Sequence, residues 1–194
     1  MTPRPPDREE QSPWHGRWVW CAHNRPNQWA CVRGAVELAG VPTHAIARVA
    51  ADTKYWLYVN GTLVVREGGL KRGPTPTGGY YDEVDLAPHL RAGRNVIGAL
   101  VWYFGHDGAS HRDSGHGGFV FDADLGGVRF ASDGTWRAIE HPAFLDGGGG
   151  ASVTLSERSV VFDARRDLPD WQQPDFDDSA WPAAAVFDAP PAGA

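Results

Sequence analysis

Residues 55–61 read YWLYVNG, and the chain continues as TLVV to residue 65. An Asn-Gly pair between two apolar runs predicts a two-residue β-hairpin, because a type I′ turn needs positive φ at both central residues. The turn would pair Val59 with Thr62. Alternation divides the first strand into two faces, with Tyr55, Leu57 and Val59 on one and Trp56 and Tyr58 on the other. Since both faces are apolar, we expect the hairpin to be covered on both sides or to lie centrally in a sheet.

Turn-forming residues also separate short apolar runs along the rest of the chain. Its 24 Gly and 15 Pro leave few stretches of a dozen residues without a breaker, and short apolar runs between turn signals are typical of an all-β fold. Eleven strands, enough for a two-sheet sandwich, are predicted at 17–20, 29–38, 44–51, 55–59, 62–67, 80–85, 95–104, 119–124, 128–131, 136–140 and 159–163. The strand at 95–104 is apolar at nearly every position and should be central, and Asp85 should cap a short turn over residues 86–90.

Composition narrows the classes of partner. The formal net charge of −6 argues against a nucleic-acid-binding surface. No run approaches the roughly 20 apolar residues of a membrane helix. The polar start lacks the apolar centre of a secretory signal, so we expect a cytoplasmic protein, or a secreted one if a signal is removed. We predict a disordered lead-in at 1–16, a β-sandwich at 17–188 and a linker or end at 189–194.

The chain has two cysteines, Cys21 and Cys31. Their spacing matches neither a redox motif nor a tetrahedral zinc site. Two buried free thiols are therefore favoured over a disulfide.

Four segments resemble a known family when they are taken in order. DTKYWLYVNGTLVV (52–65) and YYDEVDLAPHLRAGRNVIGALVWYFG (80–105) are similar to the strand–turn–strand and D-x-x-x-x-L-x-x-G-x-N patterns of galactose-binding-like jelly-roll domains. SDGTWRAIEHP (132–142) and VVFDARRDLPDWQQPDFDDSAWPAA (160–184) resemble the end of the N-terminal β-sandwich of bacterial α-L-rhamnosidases. The resemblance covers about residues 17–188 and implies a two-sheet, galactose-binding-like jelly roll.

The resemblance also implies what this chain lacks. α-L-Rhamnosidases are inverting glycoside hydrolases that remove terminal L-rhamnose, and their two catalytic carboxylates lie in a C-terminal (α/α)₆ barrel. No long helical region is visible here, so no catalytic residue is carried over. The resemblance implies a non-catalytic accessory domain that binds a rhamnose- or galactose-containing glycan or supports the substrate cleft, with a C-terminal catalytic domain as its partner if the chain is a fragment. The alternatives are a stand-alone carbohydrate-binding module and a structural interaction domain.

The loop at 105–118 is the first candidate site. It carries three histidines five residues apart together with two acids and one arginine, and this mixture suits a metal site, sugar contacts or a solvated loop whose side chains bond to backbone. Such spacing in a glycine-rich loop does not by itself make imidazoles converge on a metal. The candidate residues are His106, Asp107, His111, Arg112, Asp113 and His116.

Two further regions could contact a sugar. The segment at 68–83 carries Lys71, Arg72 and Tyr80, which offer donors and a stacking ring, although a long hairpin connection explains them as well. Trp102 lies near the end of the predicted central strand and could line the open end of the sandwich, although core packing explains it as well.

The segment DFDDSAWP (175–182) offers oxygen ligands for Ca²⁺ at Asp177, Asp178 and Ser179. A turn closed by side-chain-to-backbone hydrogen bonds, with Trp181 anchored in the core, is the favoured interpretation. No cofactor is required by any of these patterns, and calcium is kept as an alternative.

Overall fold

A computed structural model describes residues 13–69, 80–107, 113–146 and 160–187, and its strands pair antiparallel. In these ranges the helical elements are two 3₁₀ turns, Ala87–His89 and Ala164–Arg166, so the prediction of an all-β fold is confirmed. The strands are β1 (Trp18–Trp20), β2 (Gln28–Leu38), β3 (Ala45–Asp52), β4 (Lys54–Val59), β5 (Thr62–Gly68), β6 (Asp82–Asp85), β7 (Gly93–Tyr103), β8 (Gly118–Leu125), β9 (Arg129–Ala131), β10 (Arg137–Glu140), β11 (Phe144–Asp146), β12 (Val160–Phe162) and β13 (Ala185–Phe187).

Eleven of these strands match the predicted ones, with ends that differ by at most two residues. β11 and β13 were not predicted, because β11 runs into the glycine-rich stretch LDGGGG and β13 lies in the Ala- and Pro-rich stretch PAAAVFDAPP, and both stretches indicate connectors. The short turn after Asp85 is also present. The Asp85 side chain accepts a hydrogen bond from the Ala87 N–H at 3.0 Å.

Two main sheets form a sandwich. The first has the order β13-β1-β8-β3-β6, with β9 beside β8, and the second has the order β10-β2-β7-β4-β5. Most neighbours in each sheet are distant in sequence, as a jelly roll requires. A separate ribbon joins β11 to β12. The central core lies between the two main sheets and includes the fully buried rings of Trp20, Phe119, Phe121 and Trp136.

The hairpin at 55–65 forms as predicted. Asn60 and Gly61 have φ values of 51° and 83°, and Val59 pairs with Thr62. Tyr55, Leu57 and Val59 are fully buried in the central core, and the opposite face packs Trp56 on Trp29 and Tyr58 on Trp171. The hairpin is therefore covered on both sides.

Residues 160–181, here called the covering segment, pack on the outer face of the second sheet. Trp171 and Trp181 are 2% and 7% exposed and join Cys31 and Tyr58 in an apolar cluster. The Asp177 side chain accepts the Ser179 N–H at 3.0 Å, so the interpretation of 175–182 as a turn fits the contacts. The partner of Asp178 was not predicted: its carboxylate accepts a 2.6 Å bond from the Nε of Arg33.

Residues 13–16 belong to the predicted lead-in, yet they lie against the first sheet. The Pro13 carbonyl accepts a bond from Arg48 Nη2 at 3.2 Å, and the Arg48 guanidinium lies 4.7 Å from the Trp14 ring centroid. The His15 N–H donates to Asp122 at 2.7 Å. This part of the lead-in is held by side chains of β3 and β8, while residues 1–12 lie outside the described ranges.

Cys21 and Cys31 are both free and buried, which confirms the prediction for them. Burial raises the pKa of Cys21 to about 12 and that of Cys31 well above its usual range, so neither thiol is activated as a nucleophile. Among the described residues, no helix is long and apolar enough to cross a membrane.

Candidate functional site

Strand register brings the predicted loops to one end of the sandwich. Asp52 pairs with Gly118, and Val49 pairs with Asp82, so β8 and β6 both begin at the end of the sandwich where β3 ends. Gln28 pairs with Tyr103, which places the connection between β1 and β2 there too. We call residues 21–27, 52–53, 104–107 and 113–117 the end loops.

Asp52 and Thr53 tie the strand ends to the long loop. The Asp52 carboxylate accepts hydrogen bonds from the Ser114 N–H and the Thr53 hydroxyl, both at 3.0 Å. The Thr53 hydroxyl accepts the Phe104 N–H at 3.1 Å. Because Asp52 and Thr53 are buried, these bonds form away from competing water and fix where the loop leaves β7 and where it returns.

Asn24 fixes the second half of the loop. Its side chain accepts the Gly117 N–H at 2.8 Å and donates to the Gly115 carbonyl at 3.3 Å. The Ser114 hydroxyl donates to the His116 carbonyl at 3.0 Å. An Asn side chain that bonds both a donor and an acceptor of another loop holds the two loops in one relative position.

Tyr103 supports this loop from inside. Burial raises the pKa of its hydroxyl well above the usual range, and its hydrogen bond to Asp113, with the nearby charge of Asp52, adds to the effect. The hydroxyl is therefore neutral and can donate to Asp113. Asp113 in turn accepts the Gly115 N–H at 3.0 Å, so its carboxylate is positioned from two sides.

The predicted loop residues separate into exposed and structural groups. His106 and Asp107 are exposed, and the His106 ring stands edge-on to Phe104 with centroids 5.2 Å apart. Asp107 accepts the Asp113 N–H at 3.0 Å, so both acids also act as loop ties. His111 and Arg112 lie outside the described residues. Within the described ranges, no group of three His, Cys, Asp or Glu side chains is placed to hold a metal ion.

The other sugar-contact predictions have different outcomes. Trp102 is only 1% exposed, because its ring stacks on Trp29 and its indole N–H donates to Asn27 at 3.0 Å. It therefore presents no ring face to a ligand. Core packing, the alternative interpretation of Trp102, fits the structure. Tyr80 is 52% exposed at the same end as the end loops, whereas Lys71 and Arg72 lie outside the described residues.

Sequence reasoning missed three residues at this end: Asn24, Asp52 and Phe187. The rings of Phe187 and His116 have centroids 4.5 Å apart, and this contact depends on β13, which was not predicted. Asn24 had a weak signal in its turn-rich setting, HNRPN, but nothing local indicates its partners. Taken together, the end presents neutral and acidic hydrogen-bonding groups beside aromatic rings, which suits recognition of hydroxyl-rich ligands.

Comparison with known proteins agrees with this fold. The sequence model of the α-L-rhamnosidase N-terminal domain matches residues 41–193. An α-L-rhamnosidase of Streptomyces avermitilis is 27% identical over 192 residues, a match that covers 91% of this chain and 15% of that protein. The crystal structure of the GH78 family rhamnosidase of Bacillus sp. GL1 superposes with a TM-score of 0.77 at 29% identity, covering 90% of this chain and 18% of that one.

A lectin from Pleurotus ostreatus, solved in complex with GalNAc, is similar at a TM-score of 0.56 over 88% of this chain and 42% of its own. Its identity of 16% shows a shared fold alone. The family match extends over most of the chain, and the sandwich, its strand order and the four sequence segments agree with it. The chain therefore belongs to the α-L-rhamnosidase N-terminal domain family.

Proposed function

We propose that this chain is a non-catalytic carbohydrate-binding domain that acts beside the catalytic domain of an α-L-rhamnosidase-type glycoside hydrolase. The observation that carries the proposal is the fixed end-loop surface. Asn24, Asp52 and Asp113 bond to backbone groups of residues 114–117. The exposed Asp107 is tied to the same part of the loop because it accepts the Asp113 N–H, and the exposed His106 ring contacts Phe104. A surface that is ordered before binding loses less entropy when a ligand arrives.

A binding role suits the chemistry better than a catalytic one. Glycoside hydrolysis needs two carboxylates on opposite sides of a scissile bond. Here the side chains of Asp52, Asp107 and Asp113 each accept backbone N–H bonds and so serve the loop structure. The expected ligand is a neutral glycan that contains rhamnose or galactose, because exposed imidazole and carboxylate groups can bond to sugar hydroxyls.

Isothermal titration with L-rhamnose, D-galactose and a panel of their glycans tests the proposal. We expect a dissociation constant in the millimolar range or below for at least one glycan, weakened about tenfold in His106→Ala/Asp107→Ala. The matched control is His44→Ala, an exposed histidine at the opposite end of the sandwich, which should leave the affinity unchanged.

Two further outcomes have a defined meaning. A repeat in EDTA decides whether the contact needs a divalent cation such as Ca²⁺. No binding to any glycan at millimolar concentration would reject the carbohydrate-binding role and favour a domain that only supports its neighbour.

A further inference from the structure

Three aromatic rings lie together on the outer face of the first sheet, beside the end loops. Trp18 and Phe187 are directly opposite each other in the β1–β13 pairing, so their side chains lie on the same face. The His116 ring lies against Phe187, with centroids 4.5 Å apart and planes inclined by 54°. All three side chains are half-buried. We call Trp18, His116 and Phe187 the aromatic shelf.

Gly118 allows the shelf rings to lie close to the sheet, because it has no side chain. A Cβ atom at Gly118 would lie 2.8 Å from Trp18 Cε3 and 3.2 Å from Phe187 Cζ, closer than these atoms can ordinarily approach. Any other residue here would therefore lift the rings or push them apart. The rings of Trp18 and Phe187 therefore lie directly over the Gly118 backbone of β8, and both side chains are half-buried.

A hydrogen bond determines which ring nitrogen of His116 carries the proton in the neutral imidazole. His116 Nδ1 lies 2.6 Å from the Gly117 carbonyl oxygen, an acceptor, so Nδ1 carries the proton in this bond. In the neutral imidazole, Nε2 then holds a lone pair and acts as an acceptor. The backbone around the ring is fixed by the bonds from Ser114 and to Asn24.

We infer that the aromatic shelf binds the apolar C–H face of a neutral pyranose, with His116 Nε2 accepting a hydroxyl hydrogen. This inference rests on the proposed carbohydrate binding and adds the surface that would carry it. His116 belongs to both the end loops and the shelf, so one ligand can contact both.

The nature of the ligand follows from geometry and charge. Aromatic rings over a sheet with an imidazole acceptor beside them match a sugar, which has C–H groups on one face and hydroxyls at its rim. The formal net charge of −6 disfavours an anionic saccharide. A neutral ring, such as the rhamnose or galactose named above, is the class that fits.

Titration of shelf variants with the best glycan of the panel tests the inference. Trp18→Ala should weaken binding about tenfold, and His116→Phe, which keeps a ring and removes the acceptor, about fivefold. Trp14→Ala is the matched control, because Trp14 is 36% exposed on the same sheet but packs on Arg48, away from the shelf. Saturation-transfer NMR with irradiation of the aromatic protons of the unmodified chain should enhance the signals of the sugar C–H protons more in the unmodified chain than in Trp18→Ala.

The outcomes separate the two proposals. If the unmodified chain binds a glycan, and Trp18→Ala and His116→Phe bind it as tightly while His106→Ala/Asp107→Ala does not, the shelf is wrong and the carbohydrate-binding role stands. If the unmodified chain binds no glycan, both proposals are rejected. Weakening in Trp18→Ala and His116→Phe, with Trp14→Ala unchanged, supports the shelf.

Discussion

At the scale of single residues, Asp122 shows how one buried carboxylate joins three parts of the chain. It accepts bonds from the His15 N–H at 2.7 Å, from Arg48 at 2.9 Å and from Arg129 at 3.3 Å. These partners come from the segment before β1, from β3 and from β9. The side chain is fully buried, so the carboxylate depends on these groups for what water would otherwise supply.

The stability contributed by Asp122 should therefore depend on pH. Burial by itself raises the pKa of Asp122, but the His15 N–H and the Arg48 and Arg129 charges outweigh it and hold the pKa below the ordinary value of 3.8. A lowered carboxyl pKa stabilises the fold above the unfolded value, and this stabilisation is lost as the pH falls below 3.8 and through the folded value.

The measurement is urea unfolding of Asp122→Asn between pH 2 and 7. We expect a loss of about 3 kcal/mol at pH 7, at the low end for a broken buried pair because Arg129 can regain water. The difference from the unmodified chain should shrink as the pH falls below 3.8. Glu37→Gln, at an exposed site on β2, is the control; a pH-independent deficit in Asp122→Asn would contradict the linkage.

At the scale of elements, the Asn60-Gly61 turn does more than reverse the chain. The Asn60 side chain donates to the His89 carbonyl at 3.0 Å and to the Asn95 side chain at 2.9 Å, and it accepts the Val96 N–H at 3.0 Å. The turn of the β4–β5 hairpin is thus bonded to β7 and to the 3₁₀ turn before it. The positive φ at position 60 favours Asn in the turn, and the side chain of this Asn forms hydrogen bonds to distant parts of the chain.

Replacing Asn60 by Gly separates these two roles. Glycine keeps the positive φ of the turn but removes all three side-chain bonds and leaves Asn95, which is fully buried, short of a partner. We expect a loss of about 2 kcal/mol in the free energy of unfolding, measured in urea. Asn60→Asp keeps the acceptor for the Val96 N–H but sets a carboxylate oxygen against the His89 carbonyl and Asn95 Oδ1, so it should lose at least as much at neutral pH. Equal stability of Asn60→Gly and the unmodified chain would show that the turn geometry alone matters.

At the scale of the whole molecule, Arg33 attaches the covering segment to the sandwich. Its guanidinium is fully buried and donates to Asp178 and to the carbonyls of Trp171, Gln173 and Phe176 at 2.6–3.1 Å. Arg33 and Asp178 are 145 residues apart in sequence. One side chain of β2 therefore organises residues 171–178 of the covering segment, which contain neither a strand nor a 3₁₀ helix.

Arg33→Met should detach this loop. The change removes five donors and leaves Asp178 and three carbonyls unsatisfied, and breaking a buried pair of this kind costs about 3–5 kcal/mol. Chemical unfolding followed by tryptophan fluorescence measures it, since Trp171 and Trp181 lie in the affected cluster. Arg165→Met is the control, because the pair of Arg165 with Asp163 is exposed and should change stability little. Equal losses in the two variants would refute the role of Arg33.

The sequence by itself determined the fold class, eleven strands, the hairpin and its register, and the turn at Asp177–Ser179. Each of these depends on a local rule: a period of two, positive φ at Asn-Gly, or a side chain that bonds two residues ahead. Such rules act within a few residues, so a short stretch of sequence is sufficient to apply them. The strands β11 and β13 were missed because their glycine-rich and proline-rich neighbours indicate connectors.

Only the tertiary structure decided which side chains meet. In the folded chain Trp102 is buried against Trp29, Asp178 forms an ion pair with Arg33, and His116 contacts Phe187. These partners are set by strand register across two sheets and by the path of the covering segment, which sum many weak contacts between residues far apart in sequence. No local pattern carries that information, and the end loops and the aromatic shelf are therefore products of the folded chain.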